Sequence, residues 1–410
     1  MTISTPPAVE PALAQRAKTE ERRALAVGCG AHALHDGYTD IIYVVLPLWQ
    51  AEFGLAYAAV GMLRTAFTGT MAILQIPATL LAERIGGGLV LAAGTALSGL
   101  CFCLAGASAG FPLLLAALVL GGIGASTQHP IGSALVARAF AGTRVITALG
   151  TYNFAGDIGK MAVPALATLL LWLALPWRST VAILGLLGFA AAVAILLLTP
   201  RFAPEPKSAP TPEPASATPS SGGASLRSGF RLLLSIGAID SLSRAGFMVF
   251  VPFLLIEKGA SVATAGFALT LIFVGGATGK LACAWIGARF GIIGAIVITE
   301  VLTAIGILGV LTLPLDAALF VLPLVGVVLN GSSSLTYGTV PRFITPAERN
   351  RAFGIFYTGT LGCGALSPTL NGLIGDAIGM HGAVMIAAAL AVATLPLAAL
   401  LAPHMRAQAA

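Results

Sequence analysis

The feature that most constrains this chain is a series of long apolar segments with few charged residues between them. Charged residues occupy 9% of the 410 positions, whereas soluble domains carry about 25%. So few charges could not cover the surface of a water-soluble fold of this size. Because a helix that crosses the bilayer core needs about 20 mostly apolar residues, these segments are expected to lie in lipid.

Twelve segments are long enough to cross a membrane, and we predict a helix in each. They cover residues 24–48, 58–81, 88–107, 112–136, 146–171 and 179–199, then 229–256, 262–287, 291–313, 317–340, 350–374 and 380–402. Glycine and proline inside them are compatible with membrane helices. The predicted fold class is an all-α integral membrane protein with twelve transmembrane helices in two six-helix pseudo-repeats.

A segment rich in proline and serine separates the two groups of spans. Residues 200–228 have the composition of an extended, flexible linker. We therefore divide the chain into an N-terminal tail (1–23), an N-terminal bundle (24–199), this linker (200–228), a C-terminal bundle (229–402) and a C-terminal tail (403–410).

Lys and Arg are distributed unevenly between the two sides of the predicted membrane. If the N-terminus is cytoplasmic, 16 of them lie in cytoplasmic segments and two, Arg178 and Lys258, lie in outer loops. This is the positive-inside pattern. It predicts a multi-pass protein of the bacterial inner (plasma) membrane with both termini in the cytoplasm. It also explains the net charge of +6 without a nucleic-acid partner.

The two halves share an ordered series of residues at a spacing of 204 or 205. The matched pairs are Asp36 with Asp240, Pro47 with Pro252, Gly54 with Gly259, Gly61 with Gly266, Arg84 with Arg289, Gly86 with Gly291, Arg138 with Arg342, Gly150 with Gly354 and Pro164 with Pro368. Six spans in each half give both halves the same orientation in the membrane. Transporters built from parallel repeats bind their substrate between the halves, near the midplane.

The loop after the second span resembles the acidic–Arg–x–Gly motif of the major facilitator superfamily. It reads Glu83-Arg84-Ile85-Gly86, and its repeat copy reads Ala288-Arg289-Phe290-Gly291. In that superfamily the loop latches the cytoplasmic ends of the helices, which implies a latch role for Glu83, Arg84 and Arg289. Ala288 replaces the second acid, so a symmetric latch is in doubt. The resemblance also implies that spans 1, 4, 7 and 10 line a central cavity.

Within the superfamily, the chain is most similar to fosmidomycin-resistance-type efflux proteins. The likeness lies in His32-Ala33-Leu34-His35-Asp36 of the first span, Gln128-His129-Pro130 of the fourth and Gly156-Asp157-Ile158-Gly159 of the fifth. The chain departs from that pattern in having Ile131 in place of an acid, and Asp157 and Lys160 in place of Asn and Ser. The resemblance implies efflux of a drug or toxic metabolite, but these departures leave the substrate open.

Ionisable residues at membrane depth tend to face the protein interior and to lie on functional paths. Asp36 lies roughly 15 Å deep by the rise of a helix, with His32 one turn before it, His35 beside it and Asp240 as its repeat partner. A carboxylate near an imidazole can exchange a proton in the physiological range. We therefore predict proton coupling at these four residues. The alternative is a static polar lock between helices.

The candidate substrate-binding residues lie at similar depth or beside the implied cavity. They are Asp40, Arg64, Gln128, His129, Asn153, Asp157, Lys160 and Arg244. The cations would attract an anionic or zwitterionic solute, and the amides and imidazole would hydrogen-bond it. Structural alternatives stay open: an Arg64–Asp40 ion pair, mutual neutralisation of Asp157 and Lys160, and a helix-packing role for His129. Lys280 and Glu300, at matching depths, are predicted to form a structural ion pair.

These observations predict a secondary active transporter that works by alternating access. The leading hypothesis is a proton-coupled antiporter that exports a small anionic or zwitterionic compound, and the alternative is uptake of an organic anion. A channel or membrane sensor is less well supported. An enzyme is not expected, because no nucleophile triad or metal-ligand cluster was found at workable spacing. No cofactor is expected, and the predicted partners of this monomer are the solute, protons and the lipid bilayer.

Overall fold

The computed structural model describes residues 9–200, 222–344 and 349–406, and these ranges are helical without β-strands. The helices are α1 (Val9–Phe53), α2 (Tyr57–Ile85), α3 (Gly87–Ala107), α4 (Phe111–Ala125), α5 (Gln128–Ala139), α6 (Arg144–Trp172), α7 (Trp177–Leu198), α8 (Gly222–Glu257), α9 (Val262–Thr312), α10 (Leu315–Thr339) and α11 (Arg349–Arg406). A short 3-10 helix, Val340–Phe343, follows α10. The predicted all-α class is confirmed.

The eleven described helices make twelve spans. Helices α9 and α11 are each divided into two spans at a glycine, and α4 and α5 together form one span. The 51 residues of α9 would measure about 75 Å as one helix, far more than the bilayer core of about 30 Å. Gly291 in α9 and Gly379 in α11 have φ of 72° and 82°, so each divides its helix into two arms. Helices α4 and α5 run on from each other across residues 126 and 127.

Helix α1 is the least apolar of the spans. Nine helical segments in the described ranges are long and apolar enough to cross a membrane, and α1 is not among them. Its middle carries His32, His35, Asp36 and Asp40, all of which are buried. Because α1 packs against α5, α6 and α7, other helices and not lipid surround these polar groups.

Several helices extend beyond their predicted ends. Helix α1 begins at Val9, within the predicted tail, and α8 begins at Gly222, within the predicted linker. Helix α11 runs on to Arg406, into the predicted C-terminal tail. Residues 1–8, 201–221, 345–348 and 407–410 lie outside the described residues, and most of the predicted linker lies among them.

The backbone repeats at the same spacing as the sequence. Residues with positive φ occur at Gly54 and Gly259, at Gly86 and Gly291, and at Ala174 and Gly379, each pair 205 residues apart. Each pair lies at the corner between two consecutive spans. The two six-helix halves are therefore structural copies that turn at equivalent positions.

The two halves pack tightly at the face of the bundle where α1 ends and α2 begins. We call this the opposite face, because it lies across the bundle from the N-terminal face, where α2 ends and α6 begins. A Cβ added at Gly61 would lie 2.0 Å from the carbonyl oxygen of Pro368, in the other half. One added at Gly266 would lie 2.3 Å from Thr168 Oγ1, again across the halves. The carboxylate of Asp376 also caps α2 from the other half, since it accepts the Tyr57 and Ala58 backbone N–H groups at 2.8 and 2.9 Å.

The packing is looser toward the N-terminal face, where α6 begins and α2 ends. Gly150 and Gly354 are repeat partners near that face on α6 and α11, and an added Cβ at either would meet no described atom within 4 Å. Both helices pack closely against the other half near their far ends. The close contacts described between the halves thus lie near the opposite face, and none is described at these two glycines.

Candidate functional site: a central cavity

A cavity of about 380 Å³ lies between the two halves. Helices α1, α2, α5 and α6 line it from the first half, and α8, α9, α10 and α11 line it from the second. Its ionisable side chains are His35, Asp36, Asp40, Tyr43, Arg64, His129 and Lys160 of the first half, with Asp240, Arg244, Tyr337 and Tyr357 of the second. Charged groups from both halves thus face one space.

Helical periodicity explains why these residues meet. Asp36, Asp40 and Tyr43 are spaced by four and three along α1, so one stripe of that helix faces the cavity. Asp240 and Arg244 repeat the same spacing on α8. Asp40 and Arg244 are repeat partners, and both face the cavity, Asp40 with a negative charge and Arg244 with a positive charge.

Asp36 lies at the centre of a cluster of basic side chains in the first half. Its Oδ2 is 3.3 Å from Lys160 Nζ and 3.5 Å from His32 Nε2. Its Oδ1 is 3.8 Å from His35 Nε2 and 3.9 Å from His129 Nε2. The structure thus brings together the residues proposed for proton coupling in the first half and two of those proposed for substrate binding.

Neighbouring groups set the orientation of the imidazoles. His32 Nδ1 lies 2.9 Å from the Tyr152 carbonyl oxygen, and its ring stacks on the Tyr152 ring at 4.1 Å. Since a carbonyl oxygen only accepts, Nδ1 carries the hydrogen of this bond, and a hydrogen bond between Nε2 and Asp36 requires a further proton on the imidazole or on the carboxyl group. His35 Nε2 and His129 Nε2 are 3.3 Å apart, so one proton between them forms a hydrogen bond.

Three of these side chains have a geometry that could hold a cation. Donor atoms of His32, Asp36 and His129 lie within 4.8 Å of one another. Lys160 already supplies a positive charge to Asp36 at 3.3 Å, and a metal ion would have to overcome its repulsion. The charge of Lys160 therefore disfavours a metal ion at this cluster.

Asp40 and Arg64 form the ion pair that the sequence left as one alternative. Arg64 Nη2 is 3.6 Å from Asp40 Oδ1, and both side chains are buried. Arg64 also donates to the Thr39 carbonyl oxygen and lies over the Tyr43 ring, 4.2 Å from its centroid. These contacts hold the guanidinium at the cavity wall.

The prediction that Lys280 pairs with Glu300 is wrong. Lys280 Nζ lies 2.5 Å from Asp157 Oδ2, so this ion pair joins α9 of the second half to α6 of the first. Asp157 is also 3.8 Å from Lys160 Nζ. Depth along the helices placed Lys280 and Glu300 at one level, but they lie on different arms of α9 and face different neighbours.

Two predicted substrate ligands do not line the cavity. Gln128 is buried within the first half, where its amide donates to Thr95 Oγ1 at 2.8 Å. Asn153 is exposed on α6, away from the cavity lining. Each residue is next to one that contacts the cavity or its polar cluster. Gln128 precedes His129, which lines the cavity, and Asn153 follows Tyr152, which stacks on His32. Position along a helix predicted their depth but not the side they face.

The predicted latch residues Glu83, Arg84 and Arg289 form no ion pair among the described residues. Glu83 and Arg84 are exposed, and the described part of the chain offers neither of them an ion-pair partner. Arg289 places its guanidinium 5.9 Å from the Phe290 ring centroid. Among the described residues, therefore, these side chains form no ion-paired latch.

Sequence reasoning from charge missed the uncharged polar lining of the second half. The cavity is also bordered by Asn330, Ser333 and Thr336 of α10 and by Thr360 of α11. The Tyr337 hydroxyl and Thr360 Oγ1 are 3.1 Å apart. The signal that could have found them is the Asn330–Ser333–Thr336 spacing of three, which places polar groups on one stripe of an otherwise apolar helix.

Comparisons with known proteins agree with this architecture. The family model described as "Major Facilitator Superfamily" matches residues 29–239 and 233–410. The fosmidomycin resistance protein of Escherichia coli (strain K12) is 32% identical over 143 residues, which span 34% of this chain and 34% of that protein. The match thus covers about a third of the length of that relative.

Solved structures share the fold at low sequence identity. A bacterial homologue of the human lysosomal transporter Spinster, in an inward-facing and unoccupied conformation, has a TM-score of 0.73 at 18% identity, covering 94% of this chain and 96% of that one. The nucleoside transporter NupG has a TM-score of 0.73 at 13% identity, covering 94% and 98%. At these identities the likeness concerns the fold alone.

Proposed function

Because this chain belongs to the Major Facilitator Superfamily, we propose that it is a proton-coupled antiporter that exports a small zwitterionic organic compound, with proton-coupled uptake of an organic anion as the second candidate. The chain is a membrane transporter and not an enzyme. In the proposal, the two halves rock about the central cavity and expose it to each side in turn. In the proposal, the N-terminal face lies on the cytoplasmic side of a bacterial inner membrane, as the positive-inside pattern favours.

The observation that carries the proposal is the convergence of Arg64, Lys160 and Arg244 on one cavity between the halves. Arg64 and Lys160 each contact a carboxylate. Arg244 contacts Ser241 Oγ at 3.4 Å, and among the described residues it has no carboxylate within ion-pair distance. Arg244 is therefore the cation most available to an acidic group of the solute.

Proton coupling in the proposal is centred on Asp36. A proton on Asp36 removes the charge that holds Lys160, and loss of the proton restores it. His32, His35 and His129 surround the carboxylate and supply a route for the proton, since an imidazole can accept a proton on one ring nitrogen and donate from the other.

The charge of the solute decides which direction the coupling favours. A purely anionic solute is stabilised when Asp36 is protonated and Lys160 is free, so solute and proton bind together, which suits uptake. A zwitterion places its acidic group at Arg244 and its basic group at the unprotonated Asp36, where it competes with the proton. Competition of that kind is what antiport needs, and it supports export of a zwitterion over uptake of an anion.

A flux experiment in proteoliposomes tests the proposal, with fosmidomycin as the first probe because a relative of this chain is named for resistance to it. Fosmidomycin is an acid without a basic group, so its exchange against protons would support export, whereas its movement together with protons would support uptake of an anion. We expect saturable fosmidomycin flux that dissipates a preformed pH gradient, and loss of that coupling in Asp36→Asn. Arg244→Gln should weaken binding by roughly tenfold to a hundredfold, as expected for loss of a charge-assisted hydrogen bond.

Exposed residues supply matched controls for both substitutions. Arg231→Gln, on the same helix as Arg244, and Asp316→Asn, in the first turn of α10, should leave flux unchanged because both side chains are exposed. A conductive current in place of saturable flux would indicate a channel. Gradient-driven flux that persists undiminished in Asp36→Asn would remove that residue from the coupling.

A further inference from the structure

We infer that Asp240 and Glu300 form a proton-binding site in the second half, in which two buried carboxyl groups share one proton. This site deepens the proposed function and rests on it for its role in transport, but its existence can be tested separately. It lies on α8 and the second arm of α9, apart from the Asp36 cluster of the first half.

The two carboxyl groups are neighbours in the buried interior of the second half. The Glu300 carboxyl lies within hydrogen-bonding reach of the Asp240 carboxyl. Asp240 is 4% exposed and Glu300 is 2% exposed, so little water reaches either group. The Ser332 hydroxyl of α10 donates to Asp240 Oδ1 at 2.7 Å. Glu300 Oε2 is buried without a hydrogen-bond partner among the described atoms.

The inventory of charges in the spans leaves this pair one cation short. Three acids of the first half each have a cationic nitrogen close by, at 3.3 Å for Asp36, 3.6 Å for Asp40 and 2.5 Å for Asp157. Among the described residues, the one cation near Asp240 and Glu300 is Arg244. Arg244 forms no described ion pair with either carboxylate, and its guanidinium contacts Ser241.

Two facing carboxylates cannot both stay charged in a low-dielectric interior, because their repulsion adds to the cost of removing each from water. One proton held between them removes one charge and supplies the donor that the facing oxygens lack. The remaining negative charge is then matched by Arg244, which brings the described spans close to neutrality.

No other described neighbour can supply the missing positive charge. From the first arm of α9 the pair is faced by Cys283, and from α10 it is faced by Ser332 and Tyr337. A thiol, a hydroxyl and a phenol are neutral near pH 7. The charged group that faces the pair is therefore Arg244, on the same helix as Asp240.

The two carboxyl groups differ in their access to the cavity. Asp240 lines the cavity and Glu300 lies behind it. Protons therefore enter and leave through Asp240, while Glu300 retains the shared proton within the second half. Since Arg244 is also the proposed ligand for the acidic group of the solute, solute binding and proton binding share one cation.

Infrared spectroscopy of the full-length protein in lipid tests the site directly. At neutral pH we expect the carbonyl stretch of a protonated carboxylic acid, and its loss in Glu300→Gln, a close isostere that should fold. In Asp240→Asn the band should also be lost, because Arg244 then matches the charge of Glu300 without a proton. Glu20→Gln, at an exposed position, should leave the band unchanged.

Three results would overturn the inference. A wild-type spectrum without the band would show that neither group is protonated. A band that persists in Glu300→Gln would come from another acid, and a band that persists in Asp240→Asn would mean that Glu300 holds its proton alone. If the band is missing and sodium chloride, but not choline chloride, raises the thermal stability of the wild type, the pair binds sodium instead.

The test separates this site from the proposed transport function. If fosmidomycin neither binds nor moves with a pH gradient, the proposed function fails, whereas the infrared result for Glu300→Gln still decides the site. If both hold, a pH indicator should report fewer protons exchanged per fosmidomycin bound in Glu300→Gln than in the wild type or in Glu20→Gln.

Discussion

At the scale of single residues, the end of α1 shows how a polar contact joins two helices outside the membrane core. The Glu52 carboxylate accepts hydrogen bonds from the Trp177 indole N–H and from Arg178 Nη2, the latter at 2.5 Å. Together these contacts tie the end of α1 to the start of α7. The Arg178 and Trp177 hydrogen bonds lower the pKa of Glu52 below its ordinary value of 4.5.

The direction of this pKa shift predicts a pH dependence of stability. A carboxyl group whose pKa is lowered by folding stabilises the folded state above its unfolded pKa, and that stabilisation is lost as the pH falls through the folded pKa. Thermal unfolding in detergent should therefore show a decrease in midpoint below about pH 4.5 that is smaller in Glu52→Gln. An identical acid-induced decrease in both proteins would contradict this role.

Residue positions were more predictable than residue partners. The depth of Asp36, Lys160 and Arg244 follows from counting along each helix, and the structure places all three at the cavity. The partner of Lys280 did not follow, because depth leaves the rotation of each helix about its axis undetermined. One step of sequence turns a side chain by about 100°, which is enough to separate Gln128 from His129.

At the scale of helices, close contact between the halves depends on the absence of side chains. Helix α2 meets α11 where Gly61 faces the Pro368 carbonyl, and α9 meets α6 where Gly266 faces Thr168. These two contacts are related by the repeat. The spans were predictable from apolar length, but the corners at Gly291 and Gly379 and the early start of α1 depend on backbone conformation that apolar length does not report.

A substitution on α2 tests whether this contact closes the opposite face. Gly61→Ala places a Cβ 2.0 Å from the Pro368 carbonyl oxygen, so closure should be disfavoured and transport should fall by at least about tenfold, the effect of roughly 1.4 kcal/mol. Gly69→Ala is the matched control, since its nearest neighbour would be at 3.9 Å on the same helix.

The readout for this pair of variants is alkylation of a cysteine introduced at Thr369, which lies at the same contact and hydrogen-bonds to Thr65 at 2.8 Å. Alkylation from the opposite face should be faster in Gly61→Ala than in Gly69→Ala. Equal rates in the two variants would show that this contact does not control access.

At the scale of the whole molecule, alternating charges connect the halves through the middle of the membrane. Asp36, Lys160, Asp157 and Lys280 follow one another within 3.8 Å, and the last contact crosses from α6 to α9. A bridge that exists in one arrangement of the halves and not in another biases the equilibrium between them. The repeat was predictable because it recurs in sequence, whereas this bridge has no repeat copy to reveal it.

An exchange of charges tests the bridge. Asp157→Asn and Lys280→Gln should each slow transport, and the exchanged pair Asp157→Lys with Lys280→Asp should restore part of it. A double-mutant cycle on thermal unfolding should give a coupling of only about 0.5 kcal/mol, because the Lys280 side chain is 46% exposed and solvent weakens the pair. Additive effects without restoration would mean that the two residues act independently.

The single-residue corner at Gly291 has a mechanical consequence. Lys280 lies on one arm of α9 and Glu300 on the other, and no loop separates the arms to absorb a displacement. A tilt of the first arm that breaks the Lys280–Asp157 ion pair should therefore also displace the second arm and the carboxyl group of Glu300. One conformational change would then both open the cavity and release the proton shared by Asp240 and Glu300.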